Sequence, residues 1–292
     1  MTIIDYDDIQ CWEPLLDAIL SEIVPASLLE ELTRTTHEFI DGGGDMLRDA
    51  VGTATLINHL CDSLKNHQVR LYHGSRLTTA ELELVRSEGL LPLELTIRKP
   101  NLVDILKLHP YWNNVEGKLD EALAYFSNGH AEGREDGCVH ACFSRQGLLK
   151  SCNHYFEYGA EVDGHIVHRL FGEDYQIALN LLKSYRKPVL ISFLCTFQEA
   201  AEASNPWGIP KDNLYSLPGM LATAWAYKKS SPSFSTATTH DCAAARIKGG
   251  IARGQIEAIE IISDSDLEYE SSHITIRSSK PEWLMLLSNI FI

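Results

Sequence analysis

Residues 1–67 carry the hydrophobic spacing of amphipathic helices. Apolar side chains recur three or four residues apart, which places them on one face of a helix. The pattern predicts three helices, interrupted at Pro25 and again at the triple glycine 42–44, which is expected to form a loop. The apolar positions are Leu15, Leu16, Ile19, Leu20 and Ile23, then Leu28, Leu29, Leu32 and Phe39, then Met46, Val51, Ala54, Ile57, Leu60 and Leu64.

From residue 68 onward, short apolar runs alternate with helical segments. Strands are predicted over 69–73, 138–144 and 188–197, and later strands over 236–246, 255–262 and 273–277. Helices are predicted over 78–88, with Gly89 as the glycine after the last turn, and over 151–171 and 173–184, while 94–136 looks irregular and partly helical. Helices first and strands afterwards favour an α+β fold, with a helical N-terminal region over 1–67 and a second domain over 68–292.

Composition and charge narrow the class of protein. The chain has 292 residues, 45% hydrophobic and 22% charged, as in a packed globular protein. Its formal charge of −15 disfavours long-range attraction to duplex DNA and to anionic lipid. No apolar run reaches the roughly 18–20 residues of a membrane span, and no secretory signal opens the sequence. The seven cysteines are an odd number, which favours a reducing compartment. Together these features favour a cytoplasmic location and no membrane partner.

The sharpest local signal is His73-Gly74-Ser75-Arg76, at the end of a predicted strand and just before a predicted helix. A histidine at a strand end, followed by glycine and serine, can present an imidazole, backbone polar groups and a hydroxyl to one ligand. Glycine is suited to a position where the backbone approaches another group closely. The motif therefore predicts a small-molecule site at the end of this strand.

This motif, with Gly89-Leu90 at the end of the next helix, resembles the NAD site of the ADP-ribosyltransferase superfamily. The resemblance is to the branch that contains poly(ADP-ribose) polymerases and tRNA 2′-phosphotransferases. A looser match runs from Gly137 through Phe143 and Ser144, and then through Ser151-Cys152-Asn153-His154-Tyr155. The strand predicted over 188–197 and Asp241, ahead of a late apolar segment, supply the remaining landmarks. The resemblance implies a split β-sheet core over 68–292.

The resemblance also implies roles for these residues in an enzyme that uses NAD as its substrate. His73 would bind the adenosine ribose, Gly74 and Ser75 would hold the carboxamide, and Tyr155 or Tyr158 would stack on the nicotinamide ring. Either Asp241 or Glu161 would be the acid that stabilises the oxocarbenium-like state. At the position of Asp241, the family usually has glutamate. Arg76, Phe143 and Ser144 are counted with the NAD site because they lie in the matching segments.

The function implied is transfer of ADP-ribose to a macromolecule, protein or nucleic acid, with release of nicotinamide. A toxin, effector or defence enzyme would fit this activity by analogy. The alternative on the same fold is an inactive module that binds a nucleotide or a partner, because the position of the acid is the weakest part of the match.

A further alternative is an interaction protein that binds zinc through Cys138, His140, Cys142, Cys152 and His154. Three ligands at alternate positions of one strand converge poorly on one tetrahedral ion, so a buried strand is the favoured interpretation and no metal is predicted.

Overall fold

An antiparallel sheet runs through the computed structural model, which describes residues 2–127, 129, 136–204, 216–239 and 243–267. Its strand order is β6-β4-β2-β5-β8, and the short β1 pairs with the start of β2 in parallel. A separate two-stranded sheet joins β3 to β7. The strands are β1 Ile3–Ile4, β2 Gln68–Leu77, β3 Gly89–Leu90, β4 Cys138–Cys142, β5 Lys187–Thr196, β6 Ala244–Lys248, β7 Ile251–Ala252 and β8 Ile256–Ile261.

Helices make up most of the rest of the described chain, which confirms the α+β class. None of the helices in the described ranges is long and apolar enough to cross a membrane. The helices are α1 Ile9–Leu20, α2 Ala26–Arg34, α3 Asp41–Val51, α4 Thr53–Leu64, α5 Thr79–Glu88, α6 Leu95–Leu106, α7 Trp112–Val115, α8 Leu119–Phe126, α9 Arg145–Lys150, α10 Tyr155–Tyr158, α11 Glu161–Phe171, α12 Tyr175–Tyr185, α13 Phe197–Ala203 and α14 Leu217–Ser230.

Residues 1–67 are largely helical, as predicted, but they form four helices instead of three, because Gly52, with a φ of 84°, separates α3 from α4. The triple glycine also does not form the expected loop. It lies in the first turn of α3, which packs closely against α14. A Cβ atom on Gly43 would lie 3.0 Å from the backbone of Ala226, and one on Gly44 would lie 2.6 Å from Thr223 Oγ1. The glycines therefore allow α3 and α14 to pack closely together. The sequence pattern of turn residues cannot show this packing.

One continuous core joins the N-terminal helices to the sheet. Trp12 and Leu16 of α1, Val69 of β2, Phe193 of β5 and Trp225 of α14 belong to the same cluster of buried side chains. A second cluster lies among α6, α8, α11 and α12. Strand β1 also precedes these helices in the chain, and it lies beside β2 in the main sheet. The proposed boundary between 67 and 68 stays a prediction.

Several predicted segments differ from the observed elements at their ends. The strand predicted over 138–144 ends at Cys142, because the Ser144 hydroxyl caps α9 by accepting from the Gly147 amide at 2.8 Å. The helix predicted over 151–171 is divided at Gly159, whose φ of 110° is left-handed. The late strand predicted from 236 begins at 244, after a single 3₁₀ turn, and the strand predicted over 273–277 lies outside the described residues.

Helix α5 follows its sequence signals closely. The Thr78 hydroxyl accepts from the Glu81 amide at 3.2 Å, and Glu81 Oε2 accepts from the Thr78 amide at 2.8 Å, which forms a capping box. Gly89 follows the last turn with a φ of 98°. A Cβ atom there would lie 2.1 Å from the Ile251 carbonyl oxygen. Glycine is therefore required both by the backbone conformation and by the contact between β3 and β7.

We expect Gly89→Ala to destabilise the protein more than Gly172→Ala, a matched control. Both glycines have positive φ, which costs a non-glycine residue about 1–3 kcal/mol, but a Cβ on Gly172 would meet nothing within 4 Å. The additional clash in Gly89→Ala should cost about 1–3 kcal/mol more. Urea unfolding of both variants measures the difference, and equal losses of stability would contradict the clash.

Candidate functional site

A cavity lies where β2 and β4 part. All ten residues of β2 pair with β5, whereas only Tyr72 pairs with β4, opposite Cys142. Beyond this pair the two strands diverge around a cavity of about 430 Å³, lined by residues of both strands. This volume lies within the roughly 300–1,000 Å³ that is typical of small-molecule sites.

His73 spans the gap between the diverging strands. Its Nδ1 lies 2.7 Å from the backbone carbonyl oxygen of His140. A carbonyl oxygen only accepts hydrogen bonds, so Nδ1 carries the proton and donates it. Burial lowers the pKa of His73 below its ordinary value, so the ring is neutral at pH 7. The neutral ring leaves Nε2 as a hydrogen-bond acceptor for a ligand, since Nε2 has no partner in the described part of the chain.

Gly74 and Ser75 also line the cavity, but they lie inside β2, which continues to Leu77, and not after the end of the strand as predicted. The reason for glycine at position 74 differs from the expected one. A Cβ atom on Gly74 would lie 2.8 Å from Cζ of Phe156, so the glycine makes room for a side chain of α10. Ser75 is 6% exposed and lies on the wall formed by β2.

Two of the more distant predicted residues meet the motif at the same cavity. Tyr155 begins α10 and Glu161 begins α11, and both residues line the same cavity as His73. Burial, reinforced by the negative charge of Glu161, raises the pKa of Tyr155 to about 12, so the phenol stays protonated. Glu161 also lies 3.6 Å from His165 on the next turn of α11. The fold therefore collects an imidazole, a hydroxyl, a phenol and a carboxylate.

Four predicted residues, Arg76, Phe143, Ser144 and Tyr158, do not line the cavity. The Arg76 guanidinium is buried, and it pairs with Asp264 at 2.7 Å and donates to the Phe156 carbonyl oxygen at 2.9 Å. Phe143 is fully buried in the main core, and Ser144 caps α9. Tyr158 packs against the second core cluster, and its carbonyl oxygen accepts from Arg186. Asp241 lies outside the described residues.

A buried ionic cluster at the cavity wall was missed by the sequence analysis. Nε and Nη2 of Arg98 each lie 2.5 Å from a carboxylate oxygen of Asp163, and Arg186 Nη1 lies 2.5 Å from Asp163 Oδ2. Glu81 completes the cluster, 3.7 Å from Arg98 and 3.8 Å from Arg186. Asp163 lies 65 residues from Arg98 and 23 from Arg186, so no local pattern links them.

The ionisation of Asp163 is maintained by its two arginines. Burial by itself raises the pKa of Asp163, but the charges and hydrogen bonds of Arg98 and Arg186 outweigh it and hold the pKa below its ordinary value. Two cations and two anions thus balance in a region where each of these side chains is at most 14% exposed. Arg98 and Glu81 also line the cavity, so this balanced cluster forms part of its polar wall.

A second missed group lies on β4 and β6. His140 Nε2 is 2.8 Å from Asp136 Oδ2, and Arg246 Nη2 is 3.0 Å from the same oxygen. His140 and Arg246 stand opposite each other in the register of β4 and β6. The sequence analysis considered His140 as a zinc ligand. It did not connect His140 with Asp136, which lies four residues earlier in the chain. Asp136 and His140 both line the cavity.

The proposed zinc ligands do not form a metal centre in the described structure. Among the described residues, no group of three His, Cys, Asp or Glu side chains is arranged to hold a metal ion. His140 is engaged by Asp136, and Cys152 is disulfide-bonded, which removes its thiolate from the donor set. Cys138 and Cys142 are buried on β4, in agreement with the favoured interpretation of a buried strand.

The opening of the cavity has an apolar rim. Leu84 of α5, Leu91 after β3 and Ile97 of α6 are between 42% and 54% exposed, and all three line the cavity. Large apolar side chains around a space with a few polar groups are typical of small-molecule and cofactor sites.

Comparison with protein-family models, with curated proteins and with solved structures finds no match to this chain. The chemistry of the cavity is therefore the basis on which a function can be assigned.

We expect the imidazole of His73 to titrate below pH 6.5 and to carry its proton on Nδ1. Burial disfavours the charged ring, and the His140 carbonyl selects the tautomer. Nitrogen–proton correlation spectra across a pH series, with His73→Gln used to assign the signal, measure both properties. A midpoint at or above 6.5, or a proton on Nε2, would contradict this geometry.

We expect Asp163→Asn to destabilise the protein by about 3–5 kcal/mol, because it leaves two buried guanidinium groups without their anion. The pKa of Asp163 is lowered on folding, so its contribution to stability is complete above pH ~4 and is lost as pH falls through the lowered value. Urea unfolding at pH 7 and at pH 3 measures both effects. Asp104→Asn is the control, because it removes an exposed salt bridge with Lys107 and should change the free energy of unfolding little.

Proposed function

We propose that the protein is an NAD-dependent ADP-ribosyltransferase that releases nicotinamide and transfers ADP-ribose to a macromolecule. The observation that carries the proposal is the convergence of His73, Gly74, Ser75, Tyr155 and Glu161 on one cavity. The resemblance had assigned these residues, which lie in separate stretches of the sequence, to one site. A chance His-Gly-Ser sequence would give no reason for Tyr155 and Glu161 to line the same cavity.

The roles of the residues follow from the groups that they present. His73 Nε2 would accept a hydrogen bond from a ribose hydroxyl of NAD, while Ser75 and the backbone of Gly74 would hold the carboxamide. Tyr155 would stack on the nicotinamide ring, a contact worth about 0.5–1.5 kcal/mol beyond its burial. The apolar rim, formed by Leu84, Leu91 and Ile97, would cover a flat part of the substrate.

Glu161 would stabilise the positive charge that develops when the bond between ribose and nicotinamide breaks. Of the two acids considered in the sequence, Glu161 is the one that lines the cavity within the described residues. It enters from the start of a helix rather than from a late strand, where the resemblance would put the acid. Asp241 remains the other candidate for the acid, and separate substitution of each residue distinguishes the two.

The proposal includes an ADP-ribosyltransferase-like split sheet as the finer description of the α+β fold. What supports it is the parting of β2 from β4 beyond Tyr72, which opens the cavity in the middle of the sheet. The acceptor is a protein or a nucleic acid, and a role as toxin, effector or defence enzyme is the biological context in which this activity would fit.

The proposal is tested by incubating the purified chain with NAD that is labelled in its adenine ring, with and without cell lysate. Free nicotinamide and label on macromolecules are both followed. We expect release of nicotinamide from the wild type and none from His73→Ala, with an unchanged circular dichroism spectrum. Glu161→Gln should lower kcat by about 10²–10³-fold, because it removes the charge that faces the transition state.

Glu157→Gln is the matched control, since Glu157 lies on α10 but does not line the cavity. Loss of activity in Asp241→Asn with full activity in Glu161→Gln would transfer the role of the acid to Asp241. Binding of NAD by calorimetry without nicotinamide release would favour the inactive binding module. If the protein neither binds NAD nor releases nicotinamide, an NAD site is refuted.

A further inference from the structure

A histidine–aspartate pair lies on the wall of the cavity, and the proposed NAD site does not use it. His140 Nε2 and Asp136 Oδ2 are 2.8 Å apart, and the ring lies four residues after the carboxylate. Arg246, opposite His140 on β6, approaches the same carboxylate oxygen at 3.0 Å. The pair is thus held between two neighbouring strands of the sheet.

The contact decides which nitrogen of His140 is free. An ionised carboxylate can only accept, so Nε2–H donates to Asp136 and the neutral ring has its lone pair on Nδ1. Burial by itself raises the pKa of Asp136, but hydrogen bonds from His140 and the Cys138 amide, with the charge of Arg246, hold it below its ordinary value. The carboxylate is therefore ionised at pH 7.

His140 is also tied to the NAD site through its own backbone. Its carbonyl oxygen accepts a hydrogen bond from His73 Nδ1–H, while its side chain is 57% exposed and lines the same cavity. One residue thus fixes the ring that would bind the ribose and presents a second ring to the space beside it. Nδ1 of His140 has no hydrogen-bond partner in the described ranges.

We propose that His140 is the general base that activates the acceptor in this reaction, with Asp136 as its positioning residue. The inference rests on the proposed function. The bond between C1′ and the nicotinamide nitrogen breaks, and its electron pair leaves with nicotinamide. The acceptor oxygen forms the new bond to C1′ with a lone pair, and its proton passes to Nδ1 of His140. Asp136 stabilises the resulting imidazolium until the proton returns to water.

This pair favours one class of acceptor. A hydroxyl group holds its proton at neutral pH and gains from a base, whereas a side-chain carboxylate is already ionised and needs none. The formal charge of −15 disfavours a polyanionic nucleic acid. Both considerations favour a serine or threonine hydroxyl of a protein as the acceptor.

The first test compares His140→Asn with His168→Asn, an exposed histidine of α11 that does not line the cavity. Asparagine at 140 keeps a donor for Asp136 but accepts no proton. We expect transfer of label from NAD to lysate protein to fall by about 10²-fold or more in His140→Asn, with an unchanged KM for NAD, and to be normal in His168→Asn. Transfer equal to that of the wild type would overturn the role of His140.

Chemical rescue distinguishes a base from a structural side chain. His140→Gly should regain part of its transfer activity when free imidazole is added, and His73→Ala should not. Asp136→Asn should lower kcat without changing KM for NAD, and Asp136→Glu should restore part of the loss. A failure of imidazole to act, together with equal defects in both Asp136 variants, would show that the pair only supports the fold.

The chemistry of the attached label tests the acceptor class. ADP-ribose on a serine or threonine is a glycoside that resists neutral hydroxylamine, whereas ADP-ribose on a carboxylate is an ester that hydroxylamine cleaves. Resistant label on protein supports the proposal. Labile label, or label on nucleic acid, would overturn the assignment of a protein hydroxyl.

A reaction without NAD separates this inference from the proposed function. The test reagent is p-nitrophenyl acetate, whose acetyl group can pass to Nδ1 of His140 with release of p-nitrophenolate. We expect His140→Asn and Asp136→Asn to slow the release, and His168→Asn to leave it unchanged. If the wild type releases no nicotinamide but the ester reaction depends on both residues, only the proposed function fails and the reactive pair stands. An ester reaction equal in all variants would refute the pair itself.

Discussion

The contact of Asp163 with Arg98 and Arg186 joins the elements that surround the cavity. Arg98 comes from α6, Asp163 from α11, and Arg186 from the turn between α12 and β5. Glu81 adds α5, the helix that follows the His-Gly-Ser motif. Removing ions from water is expensive, so each of these charges is tolerated only when the others are in place. The cluster therefore requires the four segments to assemble together, and their assembly forms one wall of the site.

The divergence of β2 and β4 supplies the other wall. A sheet in which both strands stayed paired would have no space between them, and His73 would lie on a continuous surface. Here the ladder stops after Tyr72 and Cys142, and the His73 side chain replaces a backbone partner by donating to the His140 carbonyl. A carbonyl group of β4 thus receives its hydrogen bond from a side chain that lines the cavity. The same contact selects the tautomer of His73 and couples it to β4.

Two imidazoles with different surroundings follow from this arrangement. The His73 ring is kept neutral by burial and offers an acceptor nitrogen, whereas the more exposed His140 ring is oriented by an ionised carboxylate. In the proposed reaction, the first ring would hold a ribose hydroxyl and the second would accept a proton. Such a division of roles between paired titratable groups depends on the environment of each group.

Local sequence determined much of the secondary structure and the first part of the site. The helical spacing of residues 1–67, the capping box at Thr78, the Gly89 that ends α5 and the strand after Pro188 each depend on neighbours in the chain. The His-Gly-Ser motif also depends on a short stretch, since β2 alone presents it. These features could be predicted from the sequence because their causes lie within a few residues of one another.

Only the tertiary structure decided which distant side chains meet. Arg76 follows the motif directly, yet it faces away and pairs with Asp264, while Tyr155 and Glu161 reach the cavity. Glycines 42–44 look like a loop until α14 packs against them, and Asp163 looks like an ordinary surface acid until two arginines enclose it. Long-range packing and the desolvation of charge have no period along the chain, so the sequence by itself determined elements and a motif, and the fold alone decided the composition of the site.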